Sequence, residues 1–543
     1  MTLRGITMYL RAIRLDRLLV CVSVLHAGLA LAQAPTPGQI EDTLKQSPQL
    51  QVPTAPVIKT EQPAPPIANQ GRKIVVSKFA FSGNTVYDSA TLENLVKSYL
   101  DRPVSLMDIY AAADAITDYY VGNGYSLASV TVPAQKISDG TIRLEISEGR
   151  VAQISVTGNR LYDSGHVMAY LNGVKAGQLY RGDQLDSSMR TLNALPGLKA
   201  KAVVKPGDAY GTSDVVIETQ EQPYTGALLL DTYGRDDIGR TRFGGTVTVN
   251  NPTDVGDQLQ LLALTSNNGL LKYYYGAYSL PIDFSGTRLE LSYGHADFKV
   301  AGTFKGVDGK NDSAKAMITQ PLIRSISDTL RVNYGVSRTS GDADFLGAPL
   351  TKTSITLFEA GATYNHVYEN RAVTQVIANI ASNFSKRNSL TDISDQRLKI
   401  DMDIQHLQPI FDSGFSVLLR LNGAYSPDPL VDAEQYSLGG PQSVRGFQPS
   451  EVRGDRGFLG SLTLQRPFHI GAASFNARTF YDAGRVYTIN SPADFSLTSA
   501  GVGFDGHYDR LDAKLDWAYP LDNFKSGDGR DHGRLYGSLA VAF

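Results

Sequence analysis

The chain has one cysteine and one tryptophan in 543 residues, and its eight histidines are scattered along it. A single thiol, Cys21, excludes an internal disulfide framework, and no histidines stand at metal-ligand spacing. The formal charge is only −3, which gives no reason to expect nucleic acid or another polyanion as partner. Past the N-terminus there is no apolar run long enough for a membrane-crossing helix. No nucleotide site, cofactor motif or nucleophile–base constellation stands out, which argues against an enzyme.

What is present begins with a leader. Arg4, Arg11, Arg14 and Arg17 form a positive region, "LLVCVSVLHAGLALA" an apolar one, and "ALA" at 30–32 an A-x-A-like cleavage site before Gln33. Residues 1–32 are therefore predicted to be a signal peptide. Val20 ahead of Cys21 does not fit a lipid-modified cysteine, so the exported chain carries no thiol. In 33–50, Ile40 and Leu44 at i, i+4 predict a short helix over Gly38–Gln46. "QVPTAPVIKTEQPAPPIANQ" (51–70) is rich in proline and predicts an extended linker.

Residues 72–149 and 150–222 read as two copies of one α+β module. Each opens on a strand that ends in a Gly-Asn turn, "VVSKFAFSGNTVY" and "AQISVTGNRLY". Two helical stretches and two closing strands follow. The β-α-α-β-β order builds a small mixed sheet with helices on one face. It leaves an edge strand to which an extended peptide can add.

From 223 to 543 the period becomes two. Phe243, Val247 and Val249 share one face with Gly245, and Arg242, Thr246, Thr248 and Asn250 share the other. Leu330, Val332, Tyr334 and Val336 oppose Arg331 and Asn333 in the same way, and Leu535, Leu539, Val541 and Phe543 line one side of the last segment. Apolar-out, polar-in alternation predicts a transmembrane antiparallel β-barrel of about 16 strands. Abundant glycine (51) and tyrosine (28) fit it. Short turns at 280–286, 408–414 and 466–471 mark one end, and longer loops are expected at 299–313, 341–351 and 385–396. The stretch 435–458 then falls in the sixth outward loop, between the eleventh and twelfth strands.

That loop carries "VRGF" (444–447) after "SLGG", and further on a strand carries "FYDAG". In that strand Asn476, Arg478, Phe480, Asp482 and Gly484 share one face, and its polar members mark it as the lumen side. A loop folding inward brings Arg445 to Asp482 as a charge-assisted pair. Gly446 lets the tip turn tightly, and Phe447 is expected on the wall near Phe480 and Gly484. Water in the lumen is expected to screen the pair. Arg453-Gly454-Asp455 mimics an adhesion tripeptide, but it belongs to the same inward loop.

With these motifs the sequence resembles the two-partner secretion transporters of the outer membrane, the haemolysin secretion/activation (TpsB) proteins. "GYSLASVTVPAQKISDGTIRLEISEGRV" (124–151) is similar to that family's first POTRA domain, "LNALPG" (192–197) to its second, and "NPTDVGDQL" (251–259) to an early barrel turn. "VRGF" resembles its sixth-loop signature, and Phe480, Asp482 and Gly484 match its F-x-D-x-G strand motif. The resemblance implies a plug helix in 33–50 on a linker at 51–71, POTRA domains at 72–149 and 150–222, and a barrel at 223–543. The plug segment matches in arrangement only. Val444, Arg445, Gly446 and Phe447 would form the loop tip, with Phe480, Asp482 and Gly484 its wall partners. Also implied are a Gram-negative outer membrane with its lipid, periplasmic POTRA domains, a monomeric pore, no cofactor, and a large adhesin- or haemolysin-like exoprotein as partner. The rival is a barrel-protein insertase of the same superfamily, which generally carries more POTRA domains.

Overall fold

The computed structural model describes residues 35–45, 48–50, 57–60, 73–137, 139–383, 398–411, 413–489, 491, 494–522, 524 and 532–543. The expected signal peptide, most of the linker and the expected loop 385–396 lie outside the described residues. Helix α1 spans Pro37–Leu44. Its start is set by a capping box: the Thr36 hydroxyl accepts from the Gln39 N–H, the Gln39 side chain accepts from the Thr36 N–H, and Pro37 fills the first helical position. The apolar spacing alone had placed the helix slightly later. Lys45 is already extended and ends it.

Strand β1 is Ile58–Thr60. The first small unit follows with β2 (Lys78–Ser82), α2 (Ser89–Val96), α3 (Leu106–Gly122), β3 (Ser129–Thr131) and β4 (Thr141–Ser147), in sheet order β2-β4-β3. Asp88 caps α2, and a Ser105–Asp108 box caps α3. Phe79, Leu92, Ile116, Tyr120, Ile142 and Leu144 form its core. The second unit has β5 (Arg150–Thr157), α4 (Ser164–Ala169), α5 (Gly182–Leu192), β6 (Leu198–Pro206) and β7 (Thr212–Glu221). Its sheet runs β1-β6-β7-β5, so a piece of the expected linker joins as a fourth strand, parallel to β6.

One local device recurs in both units. Gly83 (φ +85) and Gly158 (φ +81) turn the first strand where a Cβ would lie 2.1 Å from the Ile146 carbonyl oxygen and 2.4 Å from that of Thr219. Only glycine fits. A glutamate then grips each turn. Glu148 accepts from the Thr85 and Val86 N–H groups (2.5 and 2.7 Å), the Thr85 hydroxyl and the Tyr120 hydroxyl (2.9 Å). Glu221 accepts from the N–H groups of Arg160 (2.6 Å), Leu161 and Tyr162 (3.2 Å).

The rest is a closed antiparallel barrel of sixteen strands, from Tyr224–Asp231 to Arg534–Ala542, with these two paired to each other. Phe243, Val247, Tyr334, Val336, Leu535, Leu539 and Val541 face outward, whereas Arg242 is buried on the inside. The alternation thus separates a lipid face from a filled lumen. Two expected loops are corrected. Strands Val307–Arg324, Asp328–Phe345 and Ala348–Val367 take up all of 341–351 but its two-residue turn, and the second half of 299–313. Leu346 (φ 50) and Gly347 (φ 83) make a two-residue hairpin turn of the mirror-image type. Beyond the lipid a strand needs no apolar face, so the alternation that reveals strands elsewhere is missing there.

Candidate functional site in the barrel lumen

The segment between the eleventh and twelfth barrel strands, Phe415–Tyr425 and Arg456–Ile470, turns inward. A short 3-10 turn (Asp432–Glu434) leads into the paired strands Tyr436–Leu438 and Val452–Gly454, which carry the tip. At the tip, Arg445 donates from Nε to Asp482 Oδ2 and from Nη2 to Oδ1, both at 2.7 Å, and its backbone N–H reaches Oδ2 at 3.2 Å. The Ser461 hydroxyl donates to the same carboxylate at 2.7 Å. The guanidinium lies 3.3 Å from the centroid of the Phe480 ring. This is a bidentate ion pair stacked on an aromatic face.

Asp482 is 0% exposed, so the expectation of screening by lumen water is corrected. Four donors and a ring have replaced the water. A buried pair is weak as a net stabiliser but costly to halve, on the order of 3–5 kcal/mol when one partner is removed. Phe447 is also placed differently from expectation. Arg445 covers Phe480, and Phe447 packs into a buried cluster of Leu438, Val444, Val452, Leu459, Val486 and Leu497. Gly484 makes room for Leu438, whose Cδ1 would sit 2.8 Å from a Cβ there. Gly446 takes φ +96, and its N–H donates to Tyr536 Oη at 3.0 Å. Tyr536 Oη in turn donates to the Phe447 carbonyl at 2.5 Å. Sequence reasoning missed Tyr536 and Ser461. The one available signal for Tyr536 was a large aromatic on the face opposite Leu535 and Leu539.

The adhesion-like tripeptide is enclosed. Asp455 is 1% exposed and accepts from the N–H groups of Leu430 and Ile489 (2.6 and 2.7 Å). Arg453 pairs with Asp432 and with Asp42 of α1.

Helix α1 lies inside the barrel against this loop. Ile40 is fully buried with Leu271, Phe298, Val300, Val307 and Ala343 of the inner wall. Polar groups hold the rest. Asp432 accepts from the Thr36 hydroxyl (2.7 Å) and the Gly38 N–H (2.6 Å), a carboxylate at a helix N-terminus. Asn311 Nδ2 donates to Glu41 (3.1 Å), Arg242 to the Thr43 carbonyl (2.8 Å), and Gln39 to the Ser450 carbonyl (3.1 Å). A Cβ on Gly38 would stand 2.5 Å from Asp432 Oδ2. Below the helix, Pro48, Gln49 and Leu50 line a lumen cavity of about 1320 Å³, with Gln405 donating to the Pro48 carbonyl at 2.8 Å. Arg420, Arg445 and Lys514 also face this cavity. Among the described residues no group of three His, Cys, Asp or Glu is set to hold a metal ion.

A barrel with a fastened inward loop and a tethered helix in its lumen is matched in sequence by a family model, "Haemolysin secretion/activation protein ShlB/FhaC/HecB", over residues 211–506. The chain belongs to the haemolysin secretion/activation protein family. A second model, "POTRA domain, ShlB-type", matches residues 74–149. The first unit is therefore a POTRA domain, and this member of the family is an outer-membrane secretion transporter with its POTRA region in the periplasm. Similar relatives include the heme/hemopexin transporter protein HuxB of Haemophilus influenzae, 25% identical over 83% of this chain and 84% of that protein. The outer membrane transporter CdiB of Escherichia coli O6:K15:H31 is 24% identical over 90% and 86%. Among solved structures, CdiB from Escherichia coli superposes with a TM-score of 0.71 at 22% identity, covering 89% of this chain and 93% of that one. BamA from Haemophilus ducreyi lacking POTRA domains 1–3 gives 0.55 at 13% identity, over 87% and 100%. These superpositions show a shared fold, and the family match is what separates this secretion protein from the insertase rival.

Proposed function

We propose that this chain passes one large exoprotein through its own barrel as a monomeric pore. In this reading residues 1–32 are a removed leader, 33–50 a plug, 51–71 its linker, 72–149 and 150–222 two POTRA domains, and 223–543 the conduit. The POTRA pair catches an extended segment of the partner by adding it to a sheet edge. The plug then gives way, and folding of the partner outside biases the movement. No bond chemistry is involved, so the protein is not an enzyme. The relatives include a heme/hemopexin transporter and a hemolysin transporter, and an exoprotein of that breadth of class is the partner expected here.

The observation that carries this reading is α1. A capped helix occupies the lumen on a tether that runs to the periplasm, and most of its hold is polar. Deleting 33–50 is expected to raise single-channel conductance in planar bilayers while secretion of the partner exoprotein continues. Unchanged conductance would reject the plug. Val444, Arg445, Gly446 and Phe447, with Phe480, Asp482 and Gly484, are proposed to keep the loop in the shape that seats this plug. Arg445→Ala and Asp482→Ala should each cut secretion sharply while the barrel still shows heat-modifiable gel mobility. The double variant should be little worse than either single one, because both remove one contact. Additive losses would reject the shared role.

A further inference from the structure

The arginines of the barrel interior divide into two sets. Arg242, Arg420, Arg445 and Arg478 each hold an aspartate at 2.7–2.9 Å. Arg288, Arg324 and Arg331 stand instead at the periplasmic mouth, near the ends of the neighbouring strands Arg288–Lys299, Val307–Arg324 and Asp328–Phe345. Their register puts them on the lumen side. Arg331 and Thr329, the partner of Arg324, share the face opposite the outward Tyr334 and Val336, and Arg288 is on the face opposite the outward Leu291 and Tyr293. The second unit sits beside them. Its Tyr170 packs edge-on against Phe284 with centroids 5.2 Å apart, and the Asn172 side chain donates to the Phe284 carbonyl at 3.4 Å.

Among the described residues neither Arg288 nor Arg324 makes an ion pair. Arg288 gives its N–H groups to neutral oxygens: the Ser279 hydroxyl (2.9 Å), the Gly256 carbonyl (3.0 Å) and the Ser279 carbonyl (3.1 Å). Arg324 lies over Gly286, where a Cβ would stand 2.3 Å from Nη2. Its Nη1 is buried with no hydrogen-bond partner among the described residues. Burial and the like charge of Arg331 both work against this cation. The acids in range are engaged elsewhere. Asp283 accepts from the N–H groups of Ser285 and Thr287 (2.9 and 3.0 Å) and from the Ser285 hydroxyl (2.7 Å). Asp257 accepts from the hydroxyls of Thr253 (2.8 Å) and Tyr278 (2.6 Å). Glu290 is exposed, two residues deeper on the Arg288 strand. Positive charge left uncompensated in a cleft focuses its field on anions that enter, and a buried N–H without an acceptor is completed by a partner that arrives.

We propose that Arg288, Arg324 and Arg331 form a receiving site for carboxylate side chains at the periplasmic mouth, which takes an acidic segment of the extended exoprotein as it leaves the second unit for the lumen. This rests on the secretion reading above. Arg288 is fixed by its carbonyl contacts and supplies field more than contact. Arg324 and Arg331 are partly exposed, so an incoming carboxylate can draw the Arg324 guanidinium off the Gly286 turn and be held by both nitrogens. Such a grip fits a moving chain. Each carboxylate is bound through flexible side chains at a wet rim, and the next one along the segment competes for the same forks. Higher in the barrel the arginines already have aspartates, so the segment is not held there in the same way.

The test uses full-length protein in phosphatidylcholine nanodiscs and a labelled peptide of alternating Asp and Ser as probe, read by fluorescence anisotropy. Wild type should bind it at least about tenfold more tightly than the matching peptide of Asn and Ser. Arg324→Gln/Arg331→Gln should lose about tenfold in affinity for the acidic peptide, and Arg324→Lys/Arg331→Lys, which keeps the charge, should recover most of that loss. Heat-modifiable gel mobility shows that each variant is folded. Secretion of the partner should fall several-fold in the glutamine pair. Equal binding of the two peptides, unchanged binding in the glutamine pair, or no recovery with lysine would each overturn the proposal. So would loss of peptide binding when phosphatidylglycerol replaces phosphatidylcholine, because the rim would then be a lipid headgroup site. Binding as expected with full secretion from the glutamine pair would remove the site from the export path. Binding as expected with no secretion by any form, wild type included, would overturn the transport reading and leave the carboxylate site standing.

Discussion

The two small units are built by the same local rules and end up in opposite situations. In both, a left-handed glycine turns the first strand, an asparagine closes the turn (Asn84 onto the Tyr87 carbonyl, Asn159 onto that of Tyr162), and a glutamate from the far end of the sheet grips it. The second unit is then hemmed in. Its turn sits on the barrel, where Asn251 Nδ2 donates to the Leu161 carbonyl at 2.7 Å and Tyr170 packs edge-on against Phe284. Its outer edge carries β1. The first unit is joined to the second by the Gly182 N–H on the Gly124 carbonyl (3.0 Å) and by Arg181 over the Tyr125 ring. Among the described residues no strand lies beyond its β3. The same module can serve as a strut or as an open arm, and the neighbours decide which.

Several experiments can break or sharpen that contrast. The largest effect is expected from deleting 72–149: secretion should be lost while the barrel keeps its heat-modifiable mobility. Persisting secretion would make the first unit dispensable. Next come the two gripping carboxylates. Glu148→Ala strips four donors of their acceptor and should destabilise the first unit by about 2–4 kcal/mol, seen as faster hydrogen exchange confined to it. Glu221→Ala should loosen the second unit less, because the barrel and β1 support it from outside. Equal exchange in the two variants would erase the strut-and-arm distinction.

Acid should separate the units in order. Burial of Glu148 would by itself raise its pKa, but hydrogen bonds from Thr85, Val86 and Tyr120 outweigh burial and hold it below the ordinary value. The stability it contributes is therefore present above the unfolded pKa of about 4.3 and is lost as pH falls through the lower folded value. His166, at the second unit's seat on Phe284, is shifted down by burial against the partial opposition of Asp163. Its contribution declines earlier, as pH drops below about 6.5. Hydrogen exchange across a pH series should show the barrel seat loosening before the first unit does. The smallest effect is expected from Asn251→Ala, about 1–2 kcal/mol on the seat alone. That side chain holds Leu161 and accepts from the Gly256 N–H at 2.6 Å.

Much of this architecture could be read from the residues. Period-two alternation located the barrel and the lumen face of the strand bearing Asp482, and the strand count put Arg445 in the right loop. Facing put Asp482 on the lumen side, and the resemblance to the family singled it out as the partner of Arg445. What stayed hidden was set by distance in sequence or by weak pattern. Asp432 meets Thr36 and Gly38 nearly 400 residues away, and no local signal marks such a contact. Strand β1 has three residues in a proline-rich run whose composition describes a tether well and a sheet edge poorly. Tyr536 stood on a legible face, but the hydrogen bonds it makes to Gly446 and Phe447 depend on how the loop descends.

The unequal height of the barrel wall has a consequence at the cell surface. Strands of 18, 18 and 20 residues reach roughly 50 Å at ordinary rise and tilt, about twice the apolar band of an outer membrane. Where they leave the lipid, the outward face turns polar, with Asp308, Lys310, Asp342, Asp344 and Lys352 along the upper ladder. One flank of the exit therefore carries a hydrogen-bonded parapet. An emerging polypeptide is walled off on that side from neighbouring lipopolysaccharide, and the same rigid ridge is the first part of this protein that an antibody, phage or protease arriving from outside would meet.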